Sequence, residues 1–332
     1  MADIPATAQG PAQNIEADPD LFDTSDSSLG DDVTQYTASL TSSIERYPIE
    51  NGRRYHAFKD GEYFMPNDES EQDRLDLSHQ MFKLTMRDKL YLAPIGKPAR
   101  ILDVGTGTGI WAIEMGDDFP DSEILGTDLS PTQPTWVPPN VKFEVDDAEE
   151  NWTFQHQFDL VHCRYLAAAI SDWGKLVRQC FEATKPGGYT ELQDYNLRIY
   201  SEDGSLTSEH AETKWNGLGC GACESFGKDP APGPKLEGWL KDAGFVDVYH
   251  ERIRLPIGPW PKDKFLKTIG SWNLVQLEDG LEGMSLRLLT QVLGWQLEEV
   301  HVLLANVRKD FRDPKVHAQL DFHIAYGRKP TV

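Results

Sequence analysis

ILDVGTGTGIWAIEM, residues 101–115, places a short apolar strand, a glycine-rich turn and the opening of a helix in direct succession. Glycine tolerates the positive-φ conformations of so tight a turn, and its missing Cβ leaves room for a ligand to approach the backbone. The glycines are Gly105, Gly107 and Gly109, a GxGxG run, whereas the dinucleotide fingerprint GxGxxG would put its third glycine where Ile110 stands. The turn alone points to a nucleotide-type cofactor, and the surrounding chain has to decide which.

Outward from the turn, strands and helices alternate. ARILDV (99–104) reads as a strand, 110–119 as a helix, and SEILGTDL (122–129), NVKFEVDD (140–147) and QFDLVHCR (157–164) as further strands. DWGKLVRQCFEATK (172–185) is an amphipathic helix stopped by Pro186-Gly187-Gly188, and YTELQDY (189–195) is the next strand. This spacing predicts an α/β fold whose largely parallel sheet is covered on both faces. Upstream, Asn67 or Asp68 is placed to cap a helix reaching about Leu92, with Leu75, His79, Phe82 and Met86 on one face. Downstream, a short helix (233–245), a strand from VDVYHERIRLPIG, helices within 262–310 and a last strand in KVHAQLDFHIAYGRKP complete the chain. A sheet completed after a long helical insertion implies a lid over its C-terminal edge, where open α/β sheets bind ligands.

Three acids sharpen the cofactor. Asp103 lies in the first strand, two residues before the turn, where a carboxylate opposes a pyrophosphate and suits an ammonium group. S-adenosylmethionine brings an ammonium and a sulfonium, and no phosphate. Asp128 ends the second strand, 23 residues beyond Gly105, placed to accept from both ribose hydroxyls. NAD and S-adenosylmethionine proteins share that feature. The third strand runs into DDAEE, so Asp147 can accept from an adenine amino group while the Ala148 backbone faces the ring. A dinucleotide enzyme has no particular need for an acid there, so the three strand ends favour S-adenosylmethionine over an NAD oxidoreductase.

At this point the sequence resembles the Rossmann-like, seven-stranded class I S-adenosylmethionine-dependent methyltransferases, and more narrowly the fungal LaeA-like branch. The resemblance runs from about 51 to 330. It rests on NGRRYHAFKDGEYFMPNDESEQDRLDLSH, LDVGTGTGIWAIE, GTDLSP followed by WVPPNVKFEVDD, FDLVHCR, KPGGYTELQD and the closing YGRKP. It implies cofactor contacts from Asp103, Gly105, Thr106 and Gly107, a ribose position at Asp128 and Leu129, and an adenine position at Asp147 and Ala148. Cys163 and Arg164 match backbone positions that hold the methionyl end. The implied organisation is an acidic tail (1–45), an N-terminal helical cap (46–98) and a methyltransferase domain (99–332) with lid insertions at about 196–232 and 259–312. Two functions fit the motifs: methyl transfer to O or N of a small molecule in secondary metabolism, and a LaeA-like regulatory methyltransferase acting with velvet-type protein partners.

Composition bounds the remaining possibilities. With 32 Lys and Arg against 54 Asp and Glu in 332 residues, the formal charge of −22 repels nucleic-acid backbones and argues against DNA or RNA as a direct partner. Residues 1–45 hold seven Asp and two Glu with no Lys or Arg, few apolar groups and many Ser, Thr and Pro. Such a segment reads as disordered, a solubilising leader or a docking or phosphorylation segment. No apolar run reaches the roughly 18 residues of a membrane span, and the N-terminus lacks a secretory pattern. A cytoplasmic protein is expected, nuclear only through a partner. The four cysteines suggest a reducing compartment, and the Cys220 and Cys223 CxxC has no second pair for zinc, so no metal is expected.

Methyl transfer needs alignment more than proton transfer, so no catalytic residue is assigned. His56, His79, His162 and Glu191 are the candidate bases. Tyr55, Tyr63, Trp111, Tyr195 and Trp272 are candidates for lining an apolar pocket or meeting the sulfonium by cation-π attraction.

Overall fold

The computed structural model of the protein describes residues 15–16, 48–56 and 64–331. Most of the acidic tail, and Tyr63, lie outside the described residues. The first elements are two short antiparallel strands, β1 (Ile49–Glu50) and β2 (Arg53–Arg54), joined by Asn51 and Gly52 at positive φ. An Asn-Gly pair suits such a hairpin because both residues tolerate the left-handed region. Arg53 pairs with Asp68 at 2.6 Å, fixing the hairpin to helix α1 (Glu69–Thr85), which Asp68 caps by accepting from the Glu71 amide.

Helix α1 ends seven residues short of the expected Leu92. Arg87 and Asp88 take φ of +58° and +62°, and their amides bond back to the Leu84 and Lys83 carbonyls. The following residues are held by tertiary bonds instead: Trp111 Nε1 and Gln193 Nε2 donate to the Leu90 carbonyl, and the Leu92 and Ala93 amides donate to Glu191. These bonds tie 90–93 to Glu191, Gln193 and Trp111 and override the helical pattern.

The sheet has seven strands in the order β5-β4-β3-β6-β7-β9-β8. They are β3 (Arg100–Val104), β4 (Glu123–Asp128), β5 (Val141–Val145), β6 (Phe158–Arg164), β7 (Thr184–Tyr200), β8 (Val246–Pro256) and β9 (Gln319–Arg328). Strands β3 to β7 pair in parallel, and β9 runs antiparallel between β7 and β8. Strand β7 is longer than YTELQDY because β9 continues to pair with it as far as Tyr200 and Gln319. The order reverses between β3 and β6, and a crevice forms at such a switch point, outside the carboxyl ends of the strands.

Helices α2 (Ile110–Asp118) and α3 (Trp173–Ala183) accompany the parallel strands and α5 (Leu236–Ala243) packs on α3, β8 and β9, while α4 (Ala211–Ser225), α6 (Lys264–Gly280) and α7 (Leu297–Phe311) gather beyond β7. Two core clusters sit against the parallel half, around Leu102, Val161 and Leu176 and around Ile101, Trp111 and Met115. A third joins α1, α6 and α7 to the antiparallel half through Phe82, Leu277, Leu304 and Phe322. Among the described residues, no helix is long and apolar enough to cross a membrane.

Candidate functional site

The glycine turn is held by its own backbone. Gly105, Gly107 and Gly109 have φ of +68°, +59° and +82°, and the Thr106 amide bonds the Thr127 carbonyl at the end of β4. A Cβ at Gly105 would lie 2.5 Å from Leu166 and one at Gly109 2.5 Å from Phe143, so packing excludes both. Only at Gly107 is the space open, with Leu75 at 3.7 Å as the nearest group. The ligand-clearance argument therefore holds for Gly107, and the other two glycines answer to side chains of the fold.

The acids at the strand ends organise the same region. Asp128 Oδ2 accepts from the Gly107 amide at 2.8 Å and Oδ1 from the Ser130 amide at 3.0 Å. Burial pushes the Asp128 pKa up to about 6 despite these bonds. Asp103 Oδ1 lies 2.7 Å from His162 Nδ1, and Oδ2 accepts from the Thr106 hydroxyl. Both of its oxygens thus already have partners inside the protein. His162 in turn stacks on Trp111 at 3.7 Å between centroids. Asp147 lies two residues past β5 and accepts from the Glu149 amide.

Beyond β6 the chain turns sharply, with Tyr165 and Ala168 at positive φ. Asp194 holds this loop by accepting from the Leu166 and Ala167 amides, and burial pushes its pKa up to about 7. In sequence Asp194 carries no distinguishing signal, because an acid in the strand after a Pro-Gly-Gly turn is too common to single out.

One cavity of about 290 Å³ joins these features. Its walls include Asp103, Gly105, Thr106, Gly107, Asp128, Leu129, Asp147, Ala148 and Arg164 from the expected set. The Cys163 side chain is elsewhere, buried in the core with its Sγ 3.9 Å from that of Cys180, so Cys163 can face the cavity only through its backbone. The far end is closed by Phe82, Tyr165, Tyr195, Trp215, Met284 and Leu288, with Arg74, Asn216 and Gln276 as polar groups. None of those three polar residues was singled out from sequence.

A family model described as a methyltransferase domain matches residues 77–250. The methyltransferase pytC of Aspergillus terreus is 44% identical over 327 residues, covering 98% of both chains. The chain belongs to the class I S-adenosylmethionine-dependent methyltransferases, in the LaeA-like branch. The secondary metabolism regulator LAE1 of Cochliobolus heterostrophus is 37% identical over 290 residues, 85% of this chain and 94% of that one. The protein-methionine methyltransferase laeA of Emericella nidulans is 32% identical over 295 residues, 88% of this chain and 79% of that one. The strand order is that of the fold expected from sequence, and S-adenosylmethionine is the methyl donor.

Within this methyltransferase the candidate bases separate. His56 and His162 line the cavity, whereas His79 and Glu191 do not. Burial lowers the His79 pKa to about 4, and Glu191 spends its oxygens on the Leu92 and Ala93 amides and the Gln193 side chain. Among the aromatics, Trp111 and Tyr195 line the cavity. Tyr55 is buried against the Arg287 guanidinium, and Trp272 is partly exposed on α6, so neither is a lining group. Cys220 and Cys223 stand as free thiols on α4 at the cavity wall, and burial raises both to about 11. Among the described residues no group of three or more His, Cys, Asp or Glu is placed to hold a metal.

Proposed function

We propose that the enzyme methylates an oxygen or nitrogen of a small molecule in fungal secondary metabolism. The observation that carries this reading is the single cavity running from the carboxylate-bearing strand ends to an aromatic far end. The donor suits the strand-end residues: the Gly107 backbone borders open space, Asp128 keeps lone pairs for ribose hydroxyls, and Asp147 and Ala148 line the same cavity, which supports their use for the adenine. Asp103, Gly105, Thr106, Leu129 and the Cys163 and Arg164 backbone complete the proposed cofactor set. Bound there, S-adenosylmethionine supplies an activated methyl group. The chain's own task is to hold the acceptor in line and exclude water, an alignment worth roughly 7–11 kcal/mol of barrier in well-oriented reactions.

Segments 196–232 and 259–312 act in this reading as lids, supplying Trp215, Asn216, Cys220 and Cys223 from one and Gln276, Met284 and Leu288 from the other. The test is to incubate the protein with methyl-labelled S-adenosylmethionine and a fungal extract, then to separate solvent-extractable from acid-precipitable label. Extractable label supports methylation of a small molecule. Label found only in precipitable protein overturns that reading and favours a second one, motivated by the relatives named as regulators. In that reading the chain works with a velvet-type protein, and co-purification with such a partner is its measurable signature.

A further inference from the structure

Arg164 ends strand β6 and lines the cavity beside Phe82 and Tyr195. Its guanidinium makes one hydrogen bond to a neutral group: Nη2 lies 2.8 Å from His79 Nδ1, and burial keeps that imidazole uncharged at neutral pH. Nη1 is sealed from solvent and bonds nothing among the described residues. The carboxylates that act on Arg164 through space are occupied elsewhere, Asp103 by His162 and Thr106 and Glu114 by Lys83. The guanidinium lies over the Phe82 ring, 5.0 Å from its centroid. A buried charge without an anion is costly, and its pKa is drawn down to about 10 by burial.

The neighbourhood fits an anion that comes from outside the chain. Tyr195 packs against Phe82 with ring centroids 5.6 Å apart and lines the cavity, and its hydroxyl makes no hydrogen bond among the described residues. Arg74 adds a second positive charge to this end and is already engaged by Glu71 in a two-point pair. Arg164 is therefore the cation with donor capacity to spare, set beside an idle hydroxyl donor in apolar surroundings. Guanidinium and carboxylate match in geometry, and their charge-assisted bonds are about twice as strong as neutral ones.

We propose that Arg164 is a carboxylate-binding residue of this cavity, with Tyr195 as its accessory donor. The aromatic setting of Phe82, Tyr165 and Tyr195 favours an acidic acceptor as the source of the carboxylate. The amino-acid end of the methyl donor is the other source of the same chemistry. The inference rests on the proposed use of the cavity by donor and acceptor together.

Calorimetric titration separates these sources with four probes. S-adenosylhomocysteine carries the amino-acid carboxylate and 5′-methylthioadenosine lacks it; 2-naphthoate and 2-naphthamide are offered to the S-adenosylhomocysteine complex as an acid and its neutral counterpart. Wild-type protein should prefer the naphthoate by roughly 10- to 100-fold, a preference abolished in Arg164→Met and partly kept in Arg164→Lys. An acceptor acid is then the occupant. If Arg164→Met instead weakens S-adenosylhomocysteine by that factor while sparing 5′-methylthioadenosine, the site stands and the donor fills it.

Equal binding of acid and amide by the wild type, together with equal loss of both nucleosides or none in the variant, overturns the proposal. The wild-type comparison of acid and amide needs no variant, and Arg164→Gln supplies the nucleoside comparison if Arg164→Met fails to fold. Failure of wild-type protein to bind S-adenosylhomocysteine at all would count against the cavity's proposed use and not against Arg164.

Discussion

At the β3–β4 end of the cavity the polar groups include backbone amides and the carboxylates that hold them, all between Asp103 and Ser130. At the α1–α4–α6 end they are the side chains of Arg74, Arg164, Asn216 and Gln276, brought together from four separate elements. The first end is built by local geometry. A positive-φ turn presents its amides, and Asp128 at the neighbouring strand end fixes one of them. The second end is built by packing, because Phe82, Tyr195 and Phe322 must stack before Arg164 has a floor to rest on. The first kind of site is stiff and shared across a fold; the second is free to change its ligand without changing the fold.

The largest expected effect breaks the stiff end. Gly105→Ala puts a Cβ 2.5 Å from Leu166 at a φ of +68°. Left-handed strain costs about 1 kcal/mol and overpacking about 1–3 kcal/mol, so stability should fall by about 2–4 kcal/mol in denaturant unfolding. S-adenosylhomocysteine affinity should fall with it. A variant as stable as wild type would show that Leu166 yields, and the turn would then be no stiffer than the far end.

A smaller effect sharpens the same contrast through pH. Asp128 is an acid raised to about 6 by burial, so its protonated form favours the fold. Its stabilisation is complete below its unfolded pKa near 3.8 and is lost as pH climbs through 6. Ligand binding runs the opposite way, because only the ionised carboxylate accepts at both oxygens. S-adenosylhomocysteine affinity should rise between about pH 5 and about pH 7, by at most about tenfold per unit, and Asp128→Asn should flatten that rise. A rise of unchanged steepness in Asp128→Asn would assign the titration to another group and remove Asp128 from the proposed ribose position.

How much of this was readable follows the same division. Asp103, Gly107, Asp128 and Asp147 were legible because strand ends recur at regular spacing and each places one residue at the crevice. What local pattern missed was decided at a distance. Helix α1 stops at Thr85, with Arg87 and Asp88 at positive φ, and the segment expected to continue it is held instead by Glu191, about a hundred residues away in sequence, which claims the Leu92 and Ala93 amides. The bonds that orient the Asp103 carboxylate, to His162 of the adjacent strand and to Thr106, are likewise invisible in the local pattern. Arg164 reads from sequence as a backbone position, because its missing partner is visible only once His79, Asp103 and Glu114 are seen around it. Trp272 looked like a lining aromatic, but helical phase turns it outward on α6.

The smallest expected effect tests whether the two ends are independent. Gly217 lies exposed in the interior of α4, whose opposite side carries Trp215 to the cavity, and a Cβ there meets nothing within 4 Å. Glycine in a helix interior costs roughly 0.5–1 kcal/mol relative to alanine, so Gly217→Ala should raise stability by about that much. Since position 217 touches neither end, stiffening α4 should leave S-adenosylhomocysteine affinity unchanged while slowing exchange of the α4 amides with solvent. An affinity that rises with the stability would mean that ordering α4 is part of binding at the strand ends. The two halves would then share one folding equilibrium, and the division drawn from their construction would hold for geometry but not for energy.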